Sequence, residues 1–170
     1  MPGIVTISSI SSDGLYISAA AALCQLPATQ CDTAAEALAA VEAVAPAIEI
    51  IDSRYKNFKF SLADVVADNC SSSGFVLGAW QNLDADLSNL GMILEVNGRP
   101  VQIGSSAAIL GHPARSLAAA ARLSSEAGEP LQAGWIVMAG GATAAEALAP
   151  GNSVRNVVQE LGFTGFSVTA

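Results

Sequence analysis

Apolar positions along this chain change period several times, and each change marks an element. Over residues 33–45, Ala, Leu and Val recur at helical spacing behind a Thr33/Glu36 capping-box pattern, and Pro46 follows. That predicts a helix over 33–45. Residues 47–52 are Ile-rich and predict a buried strand. Ser61 as N-cap with Asp64 three positions on predicts a short helix over 61–67. Strand character returns at 75–79. The stretch "GMILEVNGRPVQIG", 91–104, places two β runs around Asn97-Gly98, both tolerant of positive φ, and predicts a tight hairpin. Pro113 opens and Gly128 closes an Ala/Leu-faced helix over 113–127. "WIVMA" at 135–139 predicts a buried strand, and "VRNVVQEL" and "GFSVTA" two closing strands. Residues 1–31 show no sustained period. The order is that of a mixed α+β domain, not a regular βαβ series.

The heptapeptide "TAAEALA" occurs twice, at 33–39 and at 143–149. The first copy runs on into helical pattern. The second lies between Gly140-Gly141 and Pro150-Gly151, which leaves little room for a helix. Local propensity does not decide its state, because context overrides propensity.

Composition narrows the classes. A chain of 170 residues with 52% hydrophobic and 13% charged residues suits one folded domain. The net charge of −8 disfavours nonspecific nucleic-acid binding, which needs clustered cations, but allows a small anionic substrate. Cys24, Cys31 and Cys70 show no CxxC spacing, which fits reduced thiols rather than a zinc site. No basic region precedes an apolar run at the N-terminus, and no apolar stretch reaches membrane-span length. The expectation is a cytoplasmic protein with no membrane contact.

Several segments could carry chemistry. Glu49 sits among Ile48, Ile50 and Ile51. A carboxylate buried there needs a cation, a metal or a proton, and one on the outer pleat needs only solvent. Three of the seven cations, Arg54, Lys56 and Lys59, follow at once and could pair with Asp52 or Asp64. "DNCSSSG", 68–74, offers a carboxylate, an amide, a thiol and three hydroxyls, suited either to an oxyanion or to a polar turn. Gly140, Gly141 and Thr143 end a buried strand, where glycine permits close approach of a ligand. The single histidine, His112, reads as a helix-entry residue.

"AIEIIDSRYKNFKFSLADVVADNCSSSGFVLG", "NLGMILEVNGRPVQIGSSAAILGHPARSLAAAARL" and "GEPLQAGWIVMAGGATAAEAL", in that order, resemble the 4-oxalocrotonate decarboxylase family. This is a branch of the fumarylacetoacetase C-terminal-domain superfamily, which also holds the 2-oxopent-4-enoate hydratases. The resemblance spans about residues 33–170. It implies a mostly β fold with a few helices. It also implies metal-dependent decarboxylation of 2-oxohex-3-enedioate to 2-hydroxypenta-2,4-dienoate in meta-cleavage catabolism of aromatic compounds. By resemblance, Mg²⁺ or Mn²⁺ is held by carboxylates including Glu49, and Asp68, Asn69, Ser71, Ser72, Gly141 and Thr143 line the 2-oxo dicarboxylate. Homo-oligomers and association with the pathway hydratase are also implied.

Two departures stand out. The family's E-x-E strand, expected ahead of residues 33–45, has no counterpart, and neither has its upstream lysine: Lys56 and Lys59 belong to another motif. The expectation is therefore an atypical segment over 1–31 and a partial catalytic domain over 32–170, with metal binding weak or absent. A catalytically inactive, partner-binding fragment is the alternative from another class.

Overall fold

The computed structural model describes residues 15–25 and 33–169. Two antiparallel sheets face each other across one apolar core. The first is built on β1 (Leu15–Gln25) and β2 (Val41–Ile51), with β3 (Ser72–Leu77) on the outer edge of β2 and β6 (Ile136–Met138) and β7 (Glu146–Leu148) along the other edge of β1. The second runs in the order β5-β4-β8-β9, from β4 (Gly91–Val96), β5 (Arg99–Ser105), β8 (Ser153–Val158) and β9 (Gly162–Ser167). Helices α1 (Ala34–Ala39) and α3 (Pro113–Glu126) pack on each other, and α2 (Leu62–Ala67) stands between β2 and β3 in the chain.

The alternation of each strand decides what it buries. Ile17, Ile48, Ile50 and Val76 from the first sheet meet Met92, Leu94, Val154, Val158 and Phe166 from the second, all 6% exposed or less. At about 1.5–3 kcal/mol for each large apolar side chain removed from water, this core is the main stabilising term. A buried polar tie crosses it: Asn156 Nδ2 on β8 donates to the Ala47 carbonyl on β2 at 2.8 Å.

The expected α+β class holds, and so do the hairpin, the helix over 61–67 and the helix over 113–127 within a residue. Asn97 and Gly98 take φ of 53° and 72°, the left-handed pair that a two-residue hairpin turn requires.

Two readings are corrected. The first helix ends at Ala39, not at 45, and β2 begins at Val41. Five consecutive β2 residues, Val44 to Ile48, are buried, as in a strand covered on both faces. Tertiary burial of this run outweighs the helix propensity of its alanines. Pro46 does not terminate an element; it lies inside β2. The Pro46 carbonyl accepts from the Gly78 N–H, while Val44 exchanges both bonds with Gln81. The donor that proline lacks therefore faces the short stretch where the neighbouring chain leaves the ladder. Residues 1–31 suggested no element, yet their described part is β1, at the middle of the first sheet. Its "SAAAA" run offers no period to read.

Both copies of "TAAEALA" are resolved, and they differ. Thr33 caps α1 through a complete capping box. In the second copy Glu146, Ala147 and Leu148 are strand β7, paired with Ile17, Tyr16 and Leu15.

Candidate active site

The expected site residues fall at three places on the first sheet: Glu49 on β2, residues 68–72 at the turn into β3 beside Ile51, and Gly141 and Thr143 between β6 and β7. Glu49 is half-buried on β2, with Ser18 of β1 opposite it on one side and Phe75 of β3 on the other. Ala47, Leu77 and Met138 form a small apolar cluster beside it. On the far edge of β1 the partner strand is interrupted. Ile17 pairs with Glu146 and Ala22 with Met138, so five steps along β1, from 17 to 22, face eight along the partner, from 138 to 146. Three residues are extra. They leave the ladder as a bulge that holds Gly140, Gly141 and Thr143, beside the β1 positions that register with Glu49.

The bulge is braced from the second sheet. A Cβ on Gly104 of β5 would lie 2.2 Å from the Ala142 carbonyl oxygen and 2.8 Å from Thr143 Cγ2. Only glycine lets β5 come so close. Gln102 Nε2, also on β5, donates to Glu146 Oε2 at 3.0 Å. No local pattern in the sequence signals this brace, because its parts are 38 to 44 residues apart.

The "DNCSSSG" stretch is a turn under backbone strain. Asn69, Cys70 and Ser71 have φ of 50°, 54° and 55°, three consecutive residues in the left-handed region. That conformation costs about 1–2 kcal/mol per residue. It persists because its surroundings fix it. Ser71 Oγ donates to Asp68 Oδ2 at 2.7 Å, Arg54 Nη1 donates to Asp68 Oδ1 at 2.5 Å, and the Asp52 N–H donates to the Ser71 carbonyl at 2.9 Å. Asp68 and Ser71 are 6% and 1% exposed, whereas Asn69 and Ser72 are exposed. Burial pushes the Asp68 carboxyl up, but the hydrogen bonds from Ser71 and Arg54 together outweigh it and hold it below the usual carboxylate value.

The basic cluster does not pair as expected. Arg54 reaches Asp68, fourteen residues on, rather than Asp52 or Asp64. Asp64 instead completes the α2 capping box with Ser61, whose N–H and hydroxyl lower its pKa. Lys56 and Lys59 remain exposed beside Tyr55, Phe58 and Phe60. Burial first, then Asp64 and Asp68, raise the Tyr55 phenol. His112 stands away from these groups in role: it is the N-cap of α3, its Nδ1 accepting from the Ala114 N–H at 3.0 Å.

The donor set does not fit a tight Mg²⁺ site. Mg²⁺ dehydrates reluctantly and needs several well-placed oxygens. The strand beside Glu49 reads "LYISAAAALCQ" and contributes no carboxylate. Among the described residues no group of three or more His, Cys, Asp or Glu is placed to hold a metal.

With fold and site in place, the class follows: the chain belongs to the fumarylacetoacetate (FAA) hydrolase C-terminal family, which matches residues 20–169. Within it, the chain is 64% identical over 137 residues to a 4-oxalocrotonate decarboxylase from Pseudomonas sp, covering 81% of this chain and 54% of the relative. A 2-keto-4-pentenoate hydratase from Paraburkholderia xenovorans is 40% identical over 126 residues, 73% of this chain and 47% of that protein. The structure of 4-oxalocrotonate decarboxylase from Pseudomonas putida G7, complexed with magnesium and adipate, superposes with a TM-score of 0.91 at 38% identity, over 98% of this chain and 64% of that one. The chain thus spans about half the length of the decarboxylases and hydratases that it matches in sequence. Among the described residues no helix is long and apolar enough to cross a membrane.

Proposed function

We propose that this chain carries the substrate side of a 4-oxalocrotonate decarboxylase site, built for 2-oxohex-3-enedioate. The observation that supports this is a sheet that carries Glu49 on β2, the strained 69–71 turn at the start of β3 and the 139–145 bulge on the far edge of β1, in a chain 64% identical to a decarboxylase. In this reading the exposed Asn69 and Ser72 meet a substrate carboxylate, and the buried Asp68 and Ser71 hold the turn that presents them. Gly141 and Thr143 border the substrate from the opposite edge. Lys56 and Lys59 add positive potential for a dianion in an otherwise acidic chain.

Loss of carbon dioxide from such a substrate leaves an electron pair spread onto the 2-oxo oxygen. That oxygen needs a positive or hydrogen-bond-donating group. Glu49 is the one carboxylate of the family's Mg²⁺ or Mn²⁺ set that we assign here, and it cannot form such a site alone. The chain by itself is therefore a binding half with weak or no turnover. The same reading sets residues 1–31 apart in origin from 32–170, although β1 pairs within the sheet. It keeps a cytoplasmic location, a homo-oligomer and the pathway hydratase as partner.

Incubation with 2-oxohex-3-enedioate tests the assignment. Saturable binding with little carbon dioxide release is expected, and Asn69→Ala should weaken binding roughly tenfold, the loss of one or two hydrogen bonds to a charged group. Hydration of 2-hydroxypenta-2,4-dienoate without affinity for the dicarboxylate would favour the hydratase branch, which the 40% identity to a hydratase keeps open.

A further inference from the structure

Phe75 stands beside Glu49 with half of its surface open to solvent. The two residues pair across β2 and β3. Residues opposed in an antiparallel pair share a face, with Cβ atoms about 4.5–5.5 Å apart. Here that face is the outer one. Val76, next along β3, turns inward at 6% exposed, as do Ile48 and Ile50 on either side of Glu49, at 0% and 4%. Phe75 itself is 49% exposed. β3 is the edge strand of the first sheet, so among the described residues one flank of the ring has no neighbouring strand.

Sheet stability does not explain this ring. Aromatic side chains stabilise a sheet opposite an aromatic or β-branched partner, and the partner here is a carboxylate. Core packing does not explain it either. Leu77, two positions on, joins Ala47 and Met138 in a small cluster, whereas Phe75 belongs to neither of the apolar clusters. What an open phenyl ring offers is a flat, apolar face with negative charge density at its centre.

The 2-oxohex-3-enedioate assigned above has a matching part. Its 2-oxo group is conjugated with the C3=C4 double bond, so the stretch from C1 to C4 is planar, and the oxo group draws electrons out of it. An electron-poor plane stacks, offset, on the face of a phenyl ring. Saturating C3=C4 keeps both carboxylates and the 2-oxo group but removes the plane. We propose that Phe75 is a specificity-determining residue: its ring is the surface against which the planar part of the substrate lies, and it selects the unsaturated 2-oxo diacid over the saturated one. The role rests on the substrate assignment above and adds to it the group that reads the double bond. Specificity of this kind is a difference between two affinities, so two ligands that differ only in that bond isolate it.

Calorimetric titration of the whole chain with 2-oxohex-3-enedioate and with 2-oxohexanedioate tests this. Wild type binds the unsaturated diacid roughly three- to tenfold more tightly, the range of an offset stack. Phe75→Leu keeps an apolar side chain at an exposed position. It retains the thermal midpoint and the affinity for 2-oxohexanedioate, and it loses the preference. Phe75→Tyr keeps the ring and therefore the preference. Equal affinity of wild type for the two diacids, a preference that survives in Phe75→Leu, or an equal loss for both ligands in that variant would overturn the role of Phe75 and leave the site in place. No binding of either diacid by wild type would overturn the substrate assignment itself, and the role of Phe75 with it.

Discussion

Asp68 shows how much one side chain can organise. Three donors converge on its carboxylate, two from Arg54 and one from Ser71, and they hold the turn in which Asn69, Cys70 and Ser71 are all left-handed. Its folded pKa is depressed from 3.8, so the folded state binds this proton less tightly than the unfolded state does. The resulting stabilisation is present above the unfolded pKa and is lost as pH falls through the folded one. Asp64, depressed by the Ser61 donors, acts in the same direction. Thermal unfolding followed from about pH 5 to about pH 3 should therefore show a falling midpoint, and Asp68→Asn should flatten that fall. Parallel curves for the two proteins would contradict this role. Nothing in the sequence announced the Arg54–Asp68 pair: the nearer carboxylates Asp52 and Asp64 were the obvious partners, and the choice is made by the return of the chain after α2.

Elements separate what local chemistry fixes from what the fold imposes. "TAAEALA" forms a capped helix at 33–39, and its last three described positions before Ala149 form a strand at 146–148. The first copy is free to coil, while the second must pair with Leu15–Ile17. Thr33→Ala should cost about 1 kcal/mol of stability through the lost cap. Denaturant unfolding of Thr33→Ala against wild type checks this. The hairpin at 91–105, α2 and α3 were legible because Asn-Gly, Ser61/Asp64 and Pro113 act over a few residues. β1 and the 139–145 bulge were not, because an alanine run has no period and a bulge exists only relative to its partner. Gly104 belongs here too. Its Cβ would strike the Ala142 carbonyl at 2.2 Å, so Gly104→Ala should destabilise by about 1–3 kcal/mol and also weaken dicarboxylate binding by shifting the bulge. A variant that folds and binds like wild type would show that the bulge does not border the ligand.

Across the whole molecule, the first sheet carries the residues that we assign to the substrate, and the outer face of the second carries an apolar row of Ile103, Ile93, Val157 and Phe163. The parts that suggested a 2-oxo acid site were readable in the sequence as long motifs; their placement around the first sheet was not, since it depends on register across β1, β2 and β3. That register also explains why the ligand set is thin: the strand next to Glu49 is "LYISAAAALCQ" and supplies no carboxylate. The direct measurement is calorimetric titration of the chain with Mg²⁺, in wild type and in Glu49→Gln. We predict no saturable heat in the micromolar range for either protein. One-to-one micromolar binding by wild type, abolished in Glu49→Gln, would contradict the incomplete metal site and with it the reading of this chain as a binding half.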